Sequence, residues 1–475
     1  MNASQMQALM PILMLSLTAV VLMIQASIKR DQKLAWIISA VGFVCALWAT
    51  AYARDFTQPV TILLQVDSWS LFFSALILFA ALVTLVLSRQ SFSPEGERKE
   101  EYYLLLVLSV LGAVVLIQSS HMVSLLLGME LMGVALYAMI AFPEKGLLPL
   151  EAAIKYLVLS ACASVILLFG FALLYAATGQ LSYAGLGEQA TIAYLSNPLL
   201  VMAGTAMVIS GIAFKLSVVP FHMWTPDVYQ GAPTPVTGFL ATVSKGAVFV
   251  ALTRLYMDAQ LYQYPPLITA LSIVAIASML IGNLLALRQE DIKRLLAYSS
   301  IAHFGYLLVV LIALTGSGMA SDAVTFYLAA YILTSLAAFT VIARVAGEDP
   351  KKTQLGAFEG LFWRDRIQAT ALTVAMLSFA GIPLTAGFMA KFYVISLSIQ
   401  GSYWFLLSAL IIGSAIAIYY YLRIIFSMSK ASVGDGIVDG QKQDYSANLT
   451  ALLLTAMILI LGSWPQPFIA FAGGL

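Results

Sequence analysis

The stretch FKLSVVPFHMWTPDVYQGAPTPV, Phe214 to Val236, places charged residues and prolines directly after a long apolar run. The run before it, PLLVMAGTAMVISGIA, is typical of a helix that crosses a lipid bilayer. Within 23 residues, however, the stretch contains Lys215, His222, Asp227 and four prolines. A lysine near the middle of a transmembrane helix costs ~2.5–3.5 kcal/mol. The sequence therefore requires a partner or a function for the Lys215 amine.

The composition is that of a membrane protein. Of 475 residues, 61% are hydrophobic and 10% are charged, and the mean hydropathy is +0.93, whereas roughly 25% of the residues of a soluble protein are charged. Apolar runs long enough to cross the ~30 Å hydrocarbon layer recur almost end to end. They predict an all-α polytopic membrane fold with fourteen spans: 8–28, 34–53, 68–88, 103–119, 122–142, 150–177, 198–218, 235–257, 264–287, 293–315, 322–346, 367–398, 402–428 and 448–464.

Basic residues in the loops predict the orientation, because loops rich in Lys and Arg stay in the cytoplasm. With the N terminus outside, the inward loops hold 18 Lys and Arg residues, and the outward loops hold two, Arg54 and Arg254. Both termini are therefore predicted to lie outside. The first span has no basic region before it and no cleavage pattern, so we expect it to be retained. Cys45 and Cys162 lie inside spans and are predicted to be small core residues rather than disulfide or metal ligands.

Five ionisable residues fall inside the predicted spans: Glu130, Lys155, Lys215, Lys245 and Lys391. Lys155 follows Glu151 by four residues, so an ion pair at the membrane interface is as compatible with the sequence as a buried role. Lys215 and Lys245 lie about 17 and 10 residues into their spans, too deep for the amine to extend to the interface. Burial lowers the pKa of a lysine amine and a nearby carboxylate raises it again. Such an array predicts a proton relay.

Two spans contain helix breakers at membrane depth, at Pro220 and at Gly381-Ile382-Pro383. The two prolines are 163 residues apart, close to the length of a five-helix unit, and each has a lysine nearby. Paired broken helices are typical of transporters built from structural repeats. His222 and His303 can extend a proton wire. Alternatively, His222 is a neutral donor to the freed carbonyls and His303 is a structural core residue.

Three motifs resemble those of the antiporter-like membrane subunits of respiratory complex I. They are the opening stretch, IKRLLAYSSIAHFGY (Ile292 to Tyr306) and AGIPLTAGFMAKFYV (Ala380 to Val394), and the resemblance extends from about Glu101 to Trp464. It implies two inverted five-helix repeats, each with one discontinuous helix. The family's functional residues are a Glu on the fifth span, Lys on the sixth, seventh and eighth, and Lys or Glu on the twelfth; the matching residues are Glu130, Lys155, Lys215, Lys245 and Lys391.

The resemblance also implies a division of the chain. Residues 1–101 form three N-terminal helices, 102–258 the first repeat, 259–428 the second repeat, and 429–475 a cytoplasmic loop and the last helix. The polar segment ASVGDGIVDGQKQDY (Ala431 to Tyr445) is expected to be a flexible connection. Among the subunits of the family, the N type of bacterial NADH-quinone oxidoreductase is most similar, because the twelfth span has a Lys and the chain ends at Leu475 without the long lateral helix of the L type.

The function implied by the resemblance is proton translocation across a bacterial inner membrane, driven by electron transfer in other subunits. Glu130, the four lysines, His222 and His303 would form the relay. The whole complex would use NADH, FMN, iron–sulfur clusters and quinone. This chain has no glycine-rich dinucleotide loop and no cysteine cluster, so we expect it to bind no cofactor or metal.

The expected partners are the other membrane subunits of the complex, including a neighbouring antiporter-like subunit, together with lipid, water and protons but not nucleic acid. Two alternatives remain open at this point. One is an Mrp-type cation/proton antiporter subunit, which shares the fold. The other is a passive scaffold whose lysines pair with neighbouring subunits or lipid headgroups.

Overall fold

The computed structural model describes residues 2–91, 100–143, 146–314, 319–347, 350–430 and 445–473. Most of the segment 431–445, predicted to be a flexible connection, lies outside them. One short antiparallel pair, β1 (Gln58–Pro59) and β2 (Gln65–Val66), is found in the described part of the chain. The rest of the regular structure is helical. The α-helices are α1 (Ala3–Ala8), α2 (Met10–Ile28), α3 (Gln32–Tyr52), α4 (Ser68–Ser91), α5 (Glu100–Ile117), α6 (Met122–Ile140), α7 (Leu147–Thr178), α8 (Tyr183–Ser196), α9 (Pro198–Leu216), α10 (Trp224–Gly231), α11 (Thr234–Phe239), α12 (Lys245–Asp258), α13 (Pro265–Ala286), α14 (Ile292–Ala313), α15 (Met319–Ala346), α16 (Leu361–Arg364), α17 (Arg366–Ala380), α18 (Ala386–Gln400), α19 (Trp404–Ser429), α20 (Tyr445–Ser463) and α21 (Gln466–Gly473).

The predicted membrane-spanning helices are present. Within the described ranges, thirteen helical segments are long and apolar enough to cross a membrane, and they correspond to thirteen of the predicted spans. The remaining predicted span, 367–398, consists of α17 and α18, two helices of 15 residues each. The eighth span is α11 and α12 joined by a π-helical turn, Leu240–Ser244. The all-α polytopic fold is confirmed.

Helix α8 was not expected from the sequence, because its 14 residues mix small, polar and apolar side chains without a run long enough to span the bilayer. Several helices begin where polar caps predict. The Asp31 carboxylate accepts hydrogen bonds from two backbone N–H groups at the start of α3, and Asp291 does the same for α14.

The ends of successive helices lie on two opposite faces of the protein. On the face that contains the N terminus, the Ser120 N–H donates to Leu63 at 3.1 Å and the Tyr183 N–H donates to Ser120 at 3.0 Å, so β1–β2, the α5–α6 turn and the start of α8 lie together. We call this the N-terminal face. On the opposite face, the Leu355 N–H donates to the Glu290 carbonyl at 2.8 Å.

Burial separates central from peripheral helices. The apolar windows of 234–258, 292–313 and 319–346 are 100% buried, whereas that of α2 is 33% buried. Peripheral helices expose large apolar side chains, as expected where lipid is the solvent. The central helices contain Lys245 and His303. The polar residues of interest therefore lie where the protein, not lipid, surrounds them.

Two minor predictions from the sequence are wrong. Cys45 and Cys162 are exposed on α3 and α7 rather than packed in the core, because a helix that is apolar all round gives no signal of which side faces lipid. Arg254 lies in α12 and is 6% exposed, not in a loop. Its guanidinium is paired with Asp67, a partner 187 residues earlier that sequence spacing does not reveal.

Candidate functional site

The first break in a membrane helix separates α9 from α10. Directly after α9, Ser217 has a left-handed φ of 63°. Nearby backbone groups still have partners: the Trp224 indole donates to the Phe214 carbonyl at 3.0 Å, and the Val219 N–H donates to the Ser278 hydroxyl at 2.9 Å. Since Ser278 lies on α13, the break is fixed to the second half of the chain. The protein thereby satisfies backbone that lipid could not.

Lys215, in the last turn of α9 before the break, is buried and bonded to a neighbouring helix. Its amine donates to the Ser160 hydroxyl at 2.6 Å, and the Tyr137 hydroxyl donates to the same Ser160 oxygen at 2.6 Å. One turn further along α7, the Ser164 hydroxyl donates to the half-buried Glu130 carboxylate at 2.5 Å. Glu130 of the fifth span and Lys215 of the seventh are therefore both hydrogen-bonded to serines on the same stretch of α7.

Lys155 lies apart from this buried group. Its side chain is 41% exposed and its amine is 2.8 Å from both Glu151 and Asp227. The Glu151–Lys155 ion pair that the spacing predicts is present. Asp227 also accepts from Arg294 at 2.7 Å, so this cluster joins α7 and α10 to α14 of the second repeat. The part of Lys155 in a relay stays a prediction.

Lys245 has the same arrangement of partners as Lys215. Its fully buried amine donates to the Ser300 hydroxyl at 2.9 Å, and the Tyr331 hydroxyl donates to the same Ser300 oxygen at 2.8 Å. The rings of Tyr229 and Phe304 lie 5.2 and 5.4 Å from the amine, within cation–π range. Each of these two lysines therefore shares one serine with one tyrosine. The π-helical turn just before Lys245 is of a kind often found at functional sites.

Aromatic hydroxyls and polar atoms without partners lie near the two amines and in the chain segment that joins Lys215 to Lys245. The Tyr156 ring is 5.9 Å from the Lys215 amine, and its hydroxyl interacts with Ser244, the neighbour of Lys245. Four buried atoms of the break segment lack a hydrogen-bond partner among the described residues: Ser217 Oγ, His222 Nδ1, Thr225 Oγ1 and Tyr229 OH. Buried polar atoms of this kind are usually satisfied by ordered water. The segment between Lys215 and Lys245 is therefore suited to hold water.

His222 lies at this first break, two residues after Pro220. It is 7% exposed, and its ring interacts with the Pro220 backbone while Nδ1 stays without a partner in the described structure. This geometry is compatible with both roles considered from the sequence, a donor to freed carbonyls and a member of a water-filled wire.

The second break separates α17 from α18. Gly381 has a φ of 82°, and a Cβ at this position would lie 2.8 Å from the Lys391 side chain, so the close approach requires glycine. The buried Lys391 amine donates to the Ala380 carbonyl at 2.9 Å and lies 5.5 Å from the Tyr306 ring. The Gly387 N–H donates to the Ser378 hydroxyl at 3.1 Å. Lys391 therefore caps the helix that ends at its own break.

His303 lies between Lys245 and the second break. Its Nδ1 is 2.8 Å from the Tyr327 hydroxyl and its Nε2 is 3.4 Å from the Tyr421 hydroxyl. A small cavity is lined by His303, Tyr327, Tyr331 and Ser378, among others. Tyr331 belongs to the Lys245 group and Ser378 to the second break, so this cavity joins the two.

The hydroxyl groups that hold the amines were not predicted from the sequence. Ser160 and Ser164, in LVLSACAS, are four residues apart and therefore on one face of α7. That spacing is a weak signal, because serine is common in membrane helices and usually bonds its own backbone. Among the described residues, no group of three or more His, Cys, Asp or Glu side chains is placed to hold a metal ion.

Two broken helices, each with a buried amine at the break, are typical of polytopic membrane proteins of the transporter type. Comparison with known proteins is more specific. The family described as NADH:quinone oxidoreductase/Mrp antiporter, transmembrane, matches residues 119–417, and the chain belongs to this family of antiporter-like membrane subunits.

Solved structures are similar over nearly the whole chain. A chain of respiratory complex I from Thermus thermophilus, solved with bound aureothin, is 31% identical, with a TM-score of 0.83 over 97% of this chain and 98% of that one. A chain of the membrane-bound sulfane sulfur reductase, an archaeal respiratory membrane complex, is 27% identical, with a TM-score of 0.83 over 99% and 96%. A chain of the Mrp complex from Dietzia sp. DQ12-45-1b has the same fold, with 19% identity and a TM-score of 0.85 over 100% and 97%. These relatives belong to multi-subunit membrane complexes.

Proposed function

We propose that this chain is the N-type proton-translocating subunit of a bacterial NADH:quinone oxidoreductase in the inner membrane, with both termini in the periplasm. One observation supports it above the others: two buried lysines, Lys215 and Lys245, each share a serine with a tyrosine and are separated by polar atoms suited to bind water. A structural lysine needs one fixed partner. A matched pair of buried amines, with groups suited to bind water in the segment that joins them, is suited to pass a proton.

The proposed relay starts at Glu130 and ends at Lys391. A charge change near Glu130 alters how strongly Lys215 holds its proton, since Glu130 lies within electrostatic range of that amine. Lys215 then exchanges with Lys245 through water beside Tyr156 and His222. From Lys245 the proton passes by His303 to Lys391, which exchanges with the far compartment.

The energy that this relay requires is modest. Moving one proton against 100 mV costs ~2.3 kcal/mol. That corresponds to under two pKa units at ~1.4 kcal/mol each. A single charge appearing near a buried amine supplies an interaction of this size at the low effective dielectric of a protein interior.

Other subunits would supply the redox chemistry. In this proposal NADH, FMN, the iron–sulfur clusters and quinone bind to the rest of the complex, and a neighbouring antiporter-like subunit lies beside this one. Glu130 is half-buried, so the signal can reach it from outside the chain. Similarity to a chain of complex I at 31% identity supports this choice over the Mrp antiporter, for which the comparison concerns the fold alone.

The test uses the assembled complex in proteoliposomes, with proton pumping driven by NADH. Lys245→Met removes the titratable amine but keeps a side chain of similar length. We expect the rate of NADH-driven proton pumping to fall about tenfold, the equivalent of ~1.4 kcal/mol in the barrier to proton transfer. Lys430→Met, which removes an exposed amine paired with Glu359, is the matched control and should pump normally.

Two results would contradict the proposal, and a third would invalidate the assay. Unchanged pumping by an assembled Lys245→Met complex would support the passive scaffold. Proton transport that needs sodium and proceeds without the redox subunits would support the cation/proton antiporter. Loss of pumping in the Lys430→Met control would show that the assay does not report on the buried amines.

A further inference from the structure

Arg254 forms a buried ion pair that the relay does not use. Its two terminal nitrogens donate to the two oxygens of Asp67 at 2.8 and 2.9 Å, and the guanidinium carbon lies 5.6 Å from the Trp69 ring. The Arg254 side chain is 5% exposed. A bidentate pair of this kind is among the stronger charge-assisted contacts. It ties α12 to the start of α4.

The same guanidinium has a second carboxylate within range. Asp258 lies four residues after Arg254 on α12, so both side chains point to one face of the helix. Asp258 is half-buried and interacts electrostatically with Arg254 and with Asp67, yet it forms no ion pair within the described ranges. The third guanidinium nitrogen, Arg254 Nε, is buried and also lacks a partner there. One cation therefore lies between two carboxylates and is bonded to only one.

The position of this group along α12 is informative. Lys245 precedes Arg254 by nine residues on the same helix, a distance of about 13 Å at 1.5 Å per residue. Asp258 ends the helix at the N-terminal face. Arg254 thus lies between the central amine and the aqueous phase on that face, where a fixed guanidinium is an electrostatic barrier to cations and protons.

We propose that Asp67, Arg254 and Asp258 form a gate on a second proton exit, which runs from Lys245 to the N-terminal face beside the route that continues to Lys391. The gate is closed while Arg254 is bonded to Asp67. It opens when the guanidinium moves to Asp258, which leaves a hydrated route past α4. This proposal rests on the proposed function, because the gate controls a proton that Lys245 delivers.

Because of the charge state of Asp67, the gate is better explained by Arg254 changing its carboxylate partner than by Asp67 taking up a proton. Burial by itself would raise the pKa of Asp67, but the hydrogen bonds and positive charge of Arg254 outweigh it and hold that pKa below its usual value. Asp67 therefore stays ionised at neutral pH. Movement of Arg254 between two carboxylates, and not protonation of its first partner, is the event that opens the gate.

The experiment measures passive proton permeability of proteoliposomes that contain the whole complex, under an imposed pH gradient and without NADH. Asp67→Asn weakens the closed state while keeping the shape of the side chain. We expect the proton leak to rise several-fold above that of the wild type. Adding Lys245→Met to Asp67→Asn should return the leak to the wild-type level, since the route then lacks its central amine. Glu359→Gln, which breaks the exposed pair with Lys430, is the control and should not leak.

Asp258→Asn provides a second, independent variant. It removes the alternative partner of Arg254, so we expect no leak and reduced NADH-driven pumping. If the Asp67→Asn complex does not assemble, this variant decides: normal pumping by Asp258→Asn overturns the gate. In an assembled Asp67→Asn complex, a proton leak no larger than that of the wild type would also overturn the gate. So would a raised leak that Lys245→Met does not suppress. Failure of the proposed function is distinguishable, because pumping would then survive Lys245→Met alone.

Discussion

The two breaks hold their lysines in different ways. At the first, Lys215 precedes the break and its amine bonds to Ser160 on another helix, α7. At the second, Lys391 follows the break and its amine bonds to the Ala380 carbonyl at the end of the preceding half-helix. The backbone at the first break is satisfied without its lysine, by Trp224 and Ser278. The amine of Lys215 is therefore free to exchange partners, whereas that of Lys391 also has a structural task.

Because of this difference, removal of Lys215 should affect function alone, whereas removal of Lys391 should affect stability as well. A lysine that bonds a shared hydroxyl can lose its proton without exposing unsatisfied backbone, because Tyr137 still bonds Ser160. A lysine that caps a helix end leaves a buried carbonyl unpaired when it is removed. Variants at the two positions should consequently differ more in stability than in pumping.

The largest effect is expected for Lys391→Met. It removes the terminal amine of the relay and leaves the Ala380 carbonyl without its donor, which costs about 1–3 kcal/mol for a buried acceptor. NADH-driven pumping and the thermal unfolding midpoint of the purified complex should both fall. The difference between the breaks would be refuted if the midpoint fell no further than in Lys215→Met.

Lys215→Met should change pumping alone. We expect the rate of NADH-driven pumping to fall about tenfold, with an unfolding midpoint near that of the wild type, because the methionine fills the same space and Ser160 keeps its tyrosine. The measurement pairs fluorescence-dye pumping with differential scanning fluorimetry on one preparation. A strongly destabilised Lys215→Met complex would show that both lysines are structural.

Ser160→Ala should have a smaller effect. Loss of one hydrogen bond to a charged group is worth about 1.5–3 kcal/mol when no replacement exists, but water at the break can bond the amine instead. We expect the pumping rate to fall by roughly threefold. This corresponds to less than ~1 kcal/mol in the barrier to proton transfer, since tenfold corresponds to ~1.4 kcal/mol. Ser210→Ala, an exposed serine that bonds its own helix at Ala206, is the control and should be silent. An equal loss in both variants would argue against a specific role for Ser160.

The smallest effect is expected for Ser217→Gly. Ser217 occupies the left-handed region that costs a non-glycine residue ~1–2 kcal/mol, and glycine relieves this cost while adding disorder to the unfolded chain. The Ser217 hydroxyl has no partner among the described residues, so its removal breaks no hydrogen bond to another protein group. The unfolding midpoint should move little in either direction. A large loss of stability would show that this hydroxyl holds the break together.

Much of the fold could be predicted from the sequence, because apolar runs and proline or glycine breakers determine where membrane helices begin, end and break. The positions of Lys215, Lys245 and Lys391 followed from the same runs. Their partners did not, since a helix that is apolar on all sides does not reveal which neighbour a given side faces. Ser160 and Ser300, which bond two of the amines, are identified as partners only by the packing of α7 and α14 beside those lysines.

Long-range ion pairs could not be predicted from the sequence either. Arg254 looked like a loop residue because it lies near the end of its span, and only the packing of α12 against α4 brings Asp67 to it. The exposure of Lys155 depends in the same way on α10 and α14, which bring Asp227 and Arg294 to the surface of α7.

The central claim, that the buried amines are joined by water, is tested most directly by a high-resolution density map of the assembled complex. The account predicts ordered water within hydrogen-bond distance of the hydroxyls of Ser217, Thr225 and Tyr229, continuing past His303 towards Lys391. Dry apolar packing around those hydroxyls, with no water between Lys215 and Lys245, would contradict it.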